Sequence, residues 1–220
     1  MLIHRNLLNA AAVATKDDTR YHLDAVQARA KDGRVTVEAT DGHCAVRLSQ
    51  PETDPQDYPM RGNAGEILAS DAMSLLIPAQ EAKRLHDAAP NNGRLPILRA
   101  VPVGTVNGKP VGFATDLSSD TLRTWELPEG ATFPNTDRVG FMRGDDDYGA
   151  RVTFDAVLLR RVLDPIIKAD RERDGYSKAV PTIVTLAVPK TDSDMSAFYV
   201  RADRSADGWI AEALVMPCRT

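Results

Sequence analysis

Three times along the 220 residues, a helix-forming stretch is followed by short segments of alternating apolar and polar residues. No single motif constrains the fold as much as this recurrence does. A helix with one antiparallel meander buries only one sheet face, so each copy must pack on, or pair with, another. In the first copy, residues 4–15 read as a helix with Leu7, Leu8, Ala11, Ala12 and Ala14 along one side. Residues 21–30 read as a strand. Asp32-Gly33 and Asp41-Gly42 then make hairpin turns, because these pairs accept the positive φ that tight turns require. Val35, Val37 and Ala39 alternate between the turns, and Cys44, Val46 and Leu48 alternate after them. Residues 21–49 are therefore a three-stranded meander.

The second copy begins with a strand at 74–77. Pro78 stands at a favoured first-turn position and opens a helix that buries Ala82, Leu85 and Ala89. Strand-like runs follow at 95–103, 110–115 and 121–127, with Asn107-Gly108 turning the first into the second. The third copy has a strand at 151–154 and a helix at 156–170 capped by Asp155. Its Leu158, Val162 and Ile166 fall at helical spacing, and Pro165 is expected to kink or divide it. Strand-like runs at 182–188, 197–202 and 209–216 complete the copy. Residues 50–64 hold three prolines among polar groups and read as a long surface loop. The expected class is α+β, with helices on one face of antiparallel sheets and copies joined edge to edge. Residues 1–139 make a unit of two copies, and 140–220 a single copy.

The net charge of −4 excludes a globally basic nucleic-acid binder but permits a locally basic surface. Cys44 and Cys218 form no CxxC pattern, which argues against a disulfide framework or zinc ribbon and for a reducing cytoplasm. No run of about 18 apolar residues is present, so no membrane span is expected. MLIHRNLLNAAAVATKDD is not read as a signal peptide.

The corner ATDGHCAV, residues 39–46, raises the question of chemistry. His43 and Cys44 are adjacent, so on a strand their side chains point to opposite faces, which argues against a nucleophile–base pair. No phosphate loop, nucleophile elbow or HExxH occurs. His43, Cys44 and Cys218 do not obviously supply a metal's ligands. The expectation is a protein without enzyme activity, cofactor or metal, in which the corner is structural. Leu214, Val215 and Met216 read as a last core strand.

The stretch TRYHLDAVQARAKDGRVTVEATDGHCAVRL resembles the middle domain of the bacterial sliding clamp, the beta subunit of the replicative DNA polymerase. SLLIPAQEAKRL, ATFPNTDRV and the closing ALVMPCRT resemble three further landmarks of that family, in the same order. The family has an arginine and a leucine where this chain has Cys44 and Ala45, and a second methionine where it has Cys218. The resemblance implies a DNA-clamp-like fold and a processivity factor of DNA replication that encircles DNA and tethers polymerase or repair proteins by their short motifs. Carried over by position, the peptide pocket comprises Thr40, Gly42, His43, Cys44, Ala45, Leu214 and Met216. The DNA-facing helices offer Arg5, Lys83, Arg84, Arg160, Arg161, Lys168, Arg171 and Arg173, interleaved with acids. Family rings hold twelve such copies, so four chains of three copies would close one. The third copies of two chains would complete a domain together, provided the third copy does not pair within its own chain. A clamp-derived adaptor or decoy, binding peptides without enclosing DNA, is the alternative. If the family pocket forms, Cys44 and Cys218 come close enough to act as a redox-sensitive pair.

Overall fold

The computed structural model describes residues 1–15, 23–42, 44–70, 72–91, 95–128, 130–138, 156–173, 185–187, 198–204 and 209–215. Its turns follow from the X-Gly pairs. Asp32 and Gly33 have φ of 51° and 70°, and Asn107 and Gly108 have 52° and 76°. Positive φ at both central residues gives the twist that two-residue hairpins need. The first turn joins β2 (Ala25–Lys31) to β3 (Arg34–Thr40), and β4 (Cys44–Pro51) follows the Asp41-Gly42 corner. The second turn joins β6 (Ala100–Val106) to β7 (Lys109–Thr115), and β8 (Asp120–Thr124) follows.

The leading strands are exchanged between copies. β1 (Leu2–His4) pairs with β6, placing Ile3 opposite Val101. β5 (Ser74–Pro78) returns the exchange by pairing with β2, Val26 opposite Ile77. One sheet therefore has the order β1-β6-β7-β8. The third copy supplies β9 (Thr185–Ala187), β10 (Phe198–Arg204) and β11 (Trp209–Val215), and β11 pairs antiparallel with β4. The second sheet thus runs β5-β2-β3-β4-β11-β10-β9. The third copy pairs within its own chain, which removes the condition set for joining third copies of two chains. The physical reason is that β4 and β11 are both outer strands of meanders, and each satisfies the other's unpaired backbone groups.

Three helical segments cover the inner sheet faces. Arg5–Val13 is a 3-10 helix, α2 (Ala79–Ala88) belongs to the second copy, and α3 (Ala156–Arg173) to the third. The Arg5 guanidinium donates to the His86 carbonyl near the end of α2, at 3.2 Å from Nε and 3.1 Å from Nη2. The Asn6 amide donates to the Ala169 carbonyl of α3 at 3.3 Å. The main core includes Leu7, Val26, Val37, Val46, Leu85, Val162, Ile166, Val200 and Val215, so it draws on every copy.

A second core lies on the other face of the four-stranded sheet, where Leu2, Tyr58, Ile67, Val111 and Phe113 pack together. The segment expected as a surface loop therefore covers a sheet: it carries a 3-10 turn at Pro55–Asp57, buried Tyr58 and, just beyond, α1 (Ala64–Leu68). Gly104 on β6 permits this approach, since a Cβ there would stand 2.2 Å from Ser70 Oγ and 2.5 Å from the Ile67 carbonyl. Two further expectations change. Pro96–Arg99 is a 3-10 turn ahead of β6, because Pro96 favours a helical start over a strand interior. The helix α3 runs undivided through Pro165, whose ring is buried, and that packing offsets the lost backbone hydrogen bond. The expected strand at 151–154 and the Asp155 cap lie outside the described residues.

Candidate functional site

The β4–β11 junction brings the two distant halves of the expected pocket together. Thr40 lies opposite Ala45, Ala45 opposite Leu214, and Leu214 opposite Tyr199. Directly opposed residues of antiparallel strands share a sheet face, so these four form one row across four strands on the side away from the helices. The row is closely packed: Leu214 is only 2% exposed, and Thr40, Ala45 and Tyr199 are buried as well. Gly42 is exposed at the corner. His43 and Met216 lie outside the described residues, as does Cys218. Sequence reasoning missed Tyr199, because nothing local to FYVRA marks it as a neighbour of a corner so far away in the chain.

Cys44 does not join that row. It faces the helical side with Val46 and Leu48, in the main core. This corrects its place in a pocket wall, and the reason is the strand period of two: Ala45 and Cys44 cannot both face outward. Burial raises the Cys44 thiol to about 12, and the neighbouring Asp41 carboxylate adds to the shift. A thiol held protonated in this way is a poor nucleophile.

The corner is fixed by its own side chains. The Thr40 hydroxyl donates to the Cys44 carbonyl at 2.7 Å and accepts from the Gly42 N–H at 3.1 Å. One Asp41 oxygen accepts from the Cys44 N–H at 2.9 Å and lies 3.4 Å from its sulfur. The other Asp41 oxygen accepts from Arg161 on α3 at 2.5 Å. The corner therefore touches both sides: Thr40 belongs to the outer face, and Asp41 reaches the helical layer.

A second outer row crosses the same strands, with Glu38 opposite Arg47 and Arg47 opposite Glu212. Glu38 is fully buried. It accepts from Arg29, from the Thr136 hydroxyl and from Arg47 Nε, the last at 3.0 Å. Arg47 also pairs with Asp137 and lies 4.0 Å from Glu212. This network pins residues 136–137 to the outer face and links the first copy to the third. From sequence, Glu38 reads as a solvated residue on a strand's polar side. Only the covering segment makes it a buried ion.

The basic residues expected to face DNA separate into two groups. Arg5 is 7% exposed and committed to the His86 carbonyl, so it does not lie on the helical surface. Lys83, Arg84, Arg160 and Lys168 are exposed on α2 and α3. Arg84 pairs with Glu81 at 2.5 Å, Arg160 with Asp164 at 3.4 Å, and Arg161 with Asp41. Arg171 and Arg173 lie on α3, but their side chains are outside the described residues. Among the described residues, no group of three or more His, Cys, Asp or Glu is placed to hold a metal, and no helix is long and apolar enough to cross a membrane. A cleft of about 270 Å³ lies elsewhere, at the β2–β3 turn, lined by Met1, Lys31, Glu52 and Met73 among others.

No protein-family model and no curated protein matches the chain. Solved structures do resemble it. The sliding clamp, DNA polymerase III subunit beta, of Pseudomonas aeruginosa bound to griselimycin superposes with a TM-score of 0.62 at 16% identity, over 100% of this chain and 65% of that one. The DNA polymerase III beta chain of Streptococcus pneumoniae TIGR4 gives 0.58 at 15% identity, over 100% of this chain and 64% of that one. The beta subunit of Thermotoga maritima gives 0.56 at 12% identity, over 100% and 65%. The chain spans a little under two thirds of the length of these proteins, and it has their fold.

Proposed function

We propose that this is a non-enzymatic, sliding-clamp-like protein: several copies close into a ring on double-stranded DNA and tether replication or repair proteins by short peptide motifs. The likeness to sliding clamps over the whole chain carries this reading. On this view residues 1–139 form a complete clamp domain and 140–220 half of one. Since one chain spans only part of a clamp subunit, a ring requires further chains at the terminal strands β8 and β9. Among the described residues, Lys83 and Arg84 on α2 and Arg160 and Lys168 on α3 are exposed and would meet phosphates, Arg84 and Arg160 by exchanging their carboxylate partners, contacting backbone rather than bases. Peptides dock at the exposed Gly42 corner, where a backbone can approach closely beside the Thr40–Ala45–Leu214 row.

The test is retention on DNA of different topology. A ring stays on nicked circular plasmid in high salt and slides off the same plasmid once it is linearised. Equal loss from both forms rejects encirclement. One observation favours a second reading, an adaptor or decoy that binds partner peptides without enclosing DNA: Arg84, Arg160 and Arg161 are already paired with carboxylates. That protein would capture a clamp-binding peptide while showing no preference between circular and linear DNA.

A further inference from the structure

On the outer face of the seven-stranded sheet, Thr40, Ala45, Leu214 and Tyr199 are opposed in turn across β3, β4, β11 and β10. Thr40, Ala45 and Leu214 are small or medium in size, and Tyr199 alone is large. A phenol standing on an outer sheet face would ordinarily meet water. Here Tyr199 is only 7% exposed, and Leu214 beside it is more deeply buried still. Burial raises the pKa of the Tyr199 hydroxyl, and the Glu212 carboxylate adds to the shift.

The ring is held by a tie that lies outside the row. Its hydroxyl donates to the Glu212 carboxylate. Glu212 shares the outer face with Leu214 but stands one row along on β11, so the phenol crosses from its own row to the next. Glu212 also lies 4.0 Å from Arg47, in the network built on buried Glu38. A buried tyrosine hydroxyl needs a partner, and this one fixes the direction of the ring as well as satisfying the group. The ring thus stands at the end of the row away from the Gly42 corner, next to Leu214. We propose that Tyr199 is a plug in the docking row: its ring takes the place that a large apolar side chain of a partner peptide would fill beside Leu214, so the site admits small side chains and rejects bulky ones. The plug rests on the peptide-docking reading for its purpose and specifies which peptides dock. A ring in the way rejects a bulky side chain by overlap, so selectivity comes from exclusion as well as from attraction. The tie to Glu212 makes the exclusion firm, because moving the ring also breaks a buried hydrogen bond.

The experiment compares wild type with Tyr199→Ala, using two probes: p-cresol, which has the size and chemistry of the missing side chain, and a phage-displayed library of random linear peptides. Tyr199→Thr takes the place of Tyr199→Ala should the latter fail to fold, since threonine is favoured in strands. Calorimetry is expected to show saturable binding of p-cresol to the variant and none to wild type. Peptides selected on the variant should carry a large apolar residue, be displaced by p-cresol, and bind wild type more weakly by about tenfold or more. A folded variant that does not bind p-cresol overturns the plug, because the row then holds no place for a large side chain. Selected peptides that bind both proteins equally, or that p-cresol does not displace, overturn it too, with peptide docking intact. Binding of p-cresol with no peptide selected on either protein rejects peptide docking itself, and the plug falls with it.

Discussion

Asp41 accepts from the Cys44 backbone with one oxygen and from Arg161 of α3 with the other, so a single carboxylate ties the corner to the helical layer. The same carboxylate, together with burial, keeps Cys44 protonated. A thiol reagent at neutral pH is therefore expected to leave Cys44 unlabelled in the native protein and to label it after denaturation, as peptide mass mapping would record. Rapid native labelling would contradict its burial. Asp116 shows the opposite shift. The Ser119 backbone N–H, at 2.6 Å, and the hydroxyl and N–H of Ser118 hold its carboxyl down at about 2. Because this pKa lies below the ordinary carboxylate value, the stabilisation is present above that value and is lost as pH falls through about 2. An NMR titration should find the Asp116 midpoint near 2, and the Ser118→Ala, Ser119→Ala double variant should move it upward.

Among the elements, α1 and residues 136–137 are each held by a few contacts that admit single-residue tests. Ser70 donates to the Ile67 carbonyl at 2.7 Å and accepts from the Thr105 N–H at 3.1 Å, closing α1 onto β6 over Gly104. Gly104→Ala puts a methyl group against a backbone carbonyl that cannot yield, and should lose about 1–3 kcal/mol in urea unfolding. The outer network is more sensitive. Removing Arg47 leaves Glu38 a buried charge deprived of a main partner, so Arg47→Ala should cost about 3–5 kcal/mol by the same measurement. On the inner side, Glu81 of α2 accepts from Arg123 of β8 at 2.8 Å. That hydrogen bond, with a further one from Arg84, lowers the Glu81 pKa, so this tie between helix and edge strand weakens only in acid.

At the scale of the molecule, the proposed DNA surface separates cations that reach solvent from those used in packing. Each phosphate contact contributes about −0.9 to the slope of log affinity against log salt. Lys83→Ala should therefore reduce the magnitude of that slope by about 1, measured by filter binding over a salt series. Arg5→Ala should leave the slope unchanged and lower the melting temperature instead, because Arg5 joins the first helix to α2. Equal effects of the two variants would reject the division. The continuous β4–β11 sheet also predicts that the first and third copies unfold together, observable as a single transition in hydrogen exchange of β4 and β11 amides.

The three-copy order, the X-Gly hairpins, the faces of α2 and α3 and the apolar strand positions were legible in the sequence, because each depends on periodicity or on a local φ requirement. The corner and its reach toward the terminal strand were legible through resemblance. What the chain alone could not reveal is held by contacts between distant residues. β1 is only three residues long and exists because β6 receives it. Glu38 becomes a buried ion only when residues 136–137 cover it, and Arg5 leaves the basic surface only because the α2 carbonyls come within its reach. The third copy finds a neighbour in β4 of its own chain, because strand pairing depends on which unsatisfied edges meet in space. Local sequence determines which segments can be strands and helices. The tertiary structure decides which of them meet, since burial and edge pairing are properties of the assembled chain.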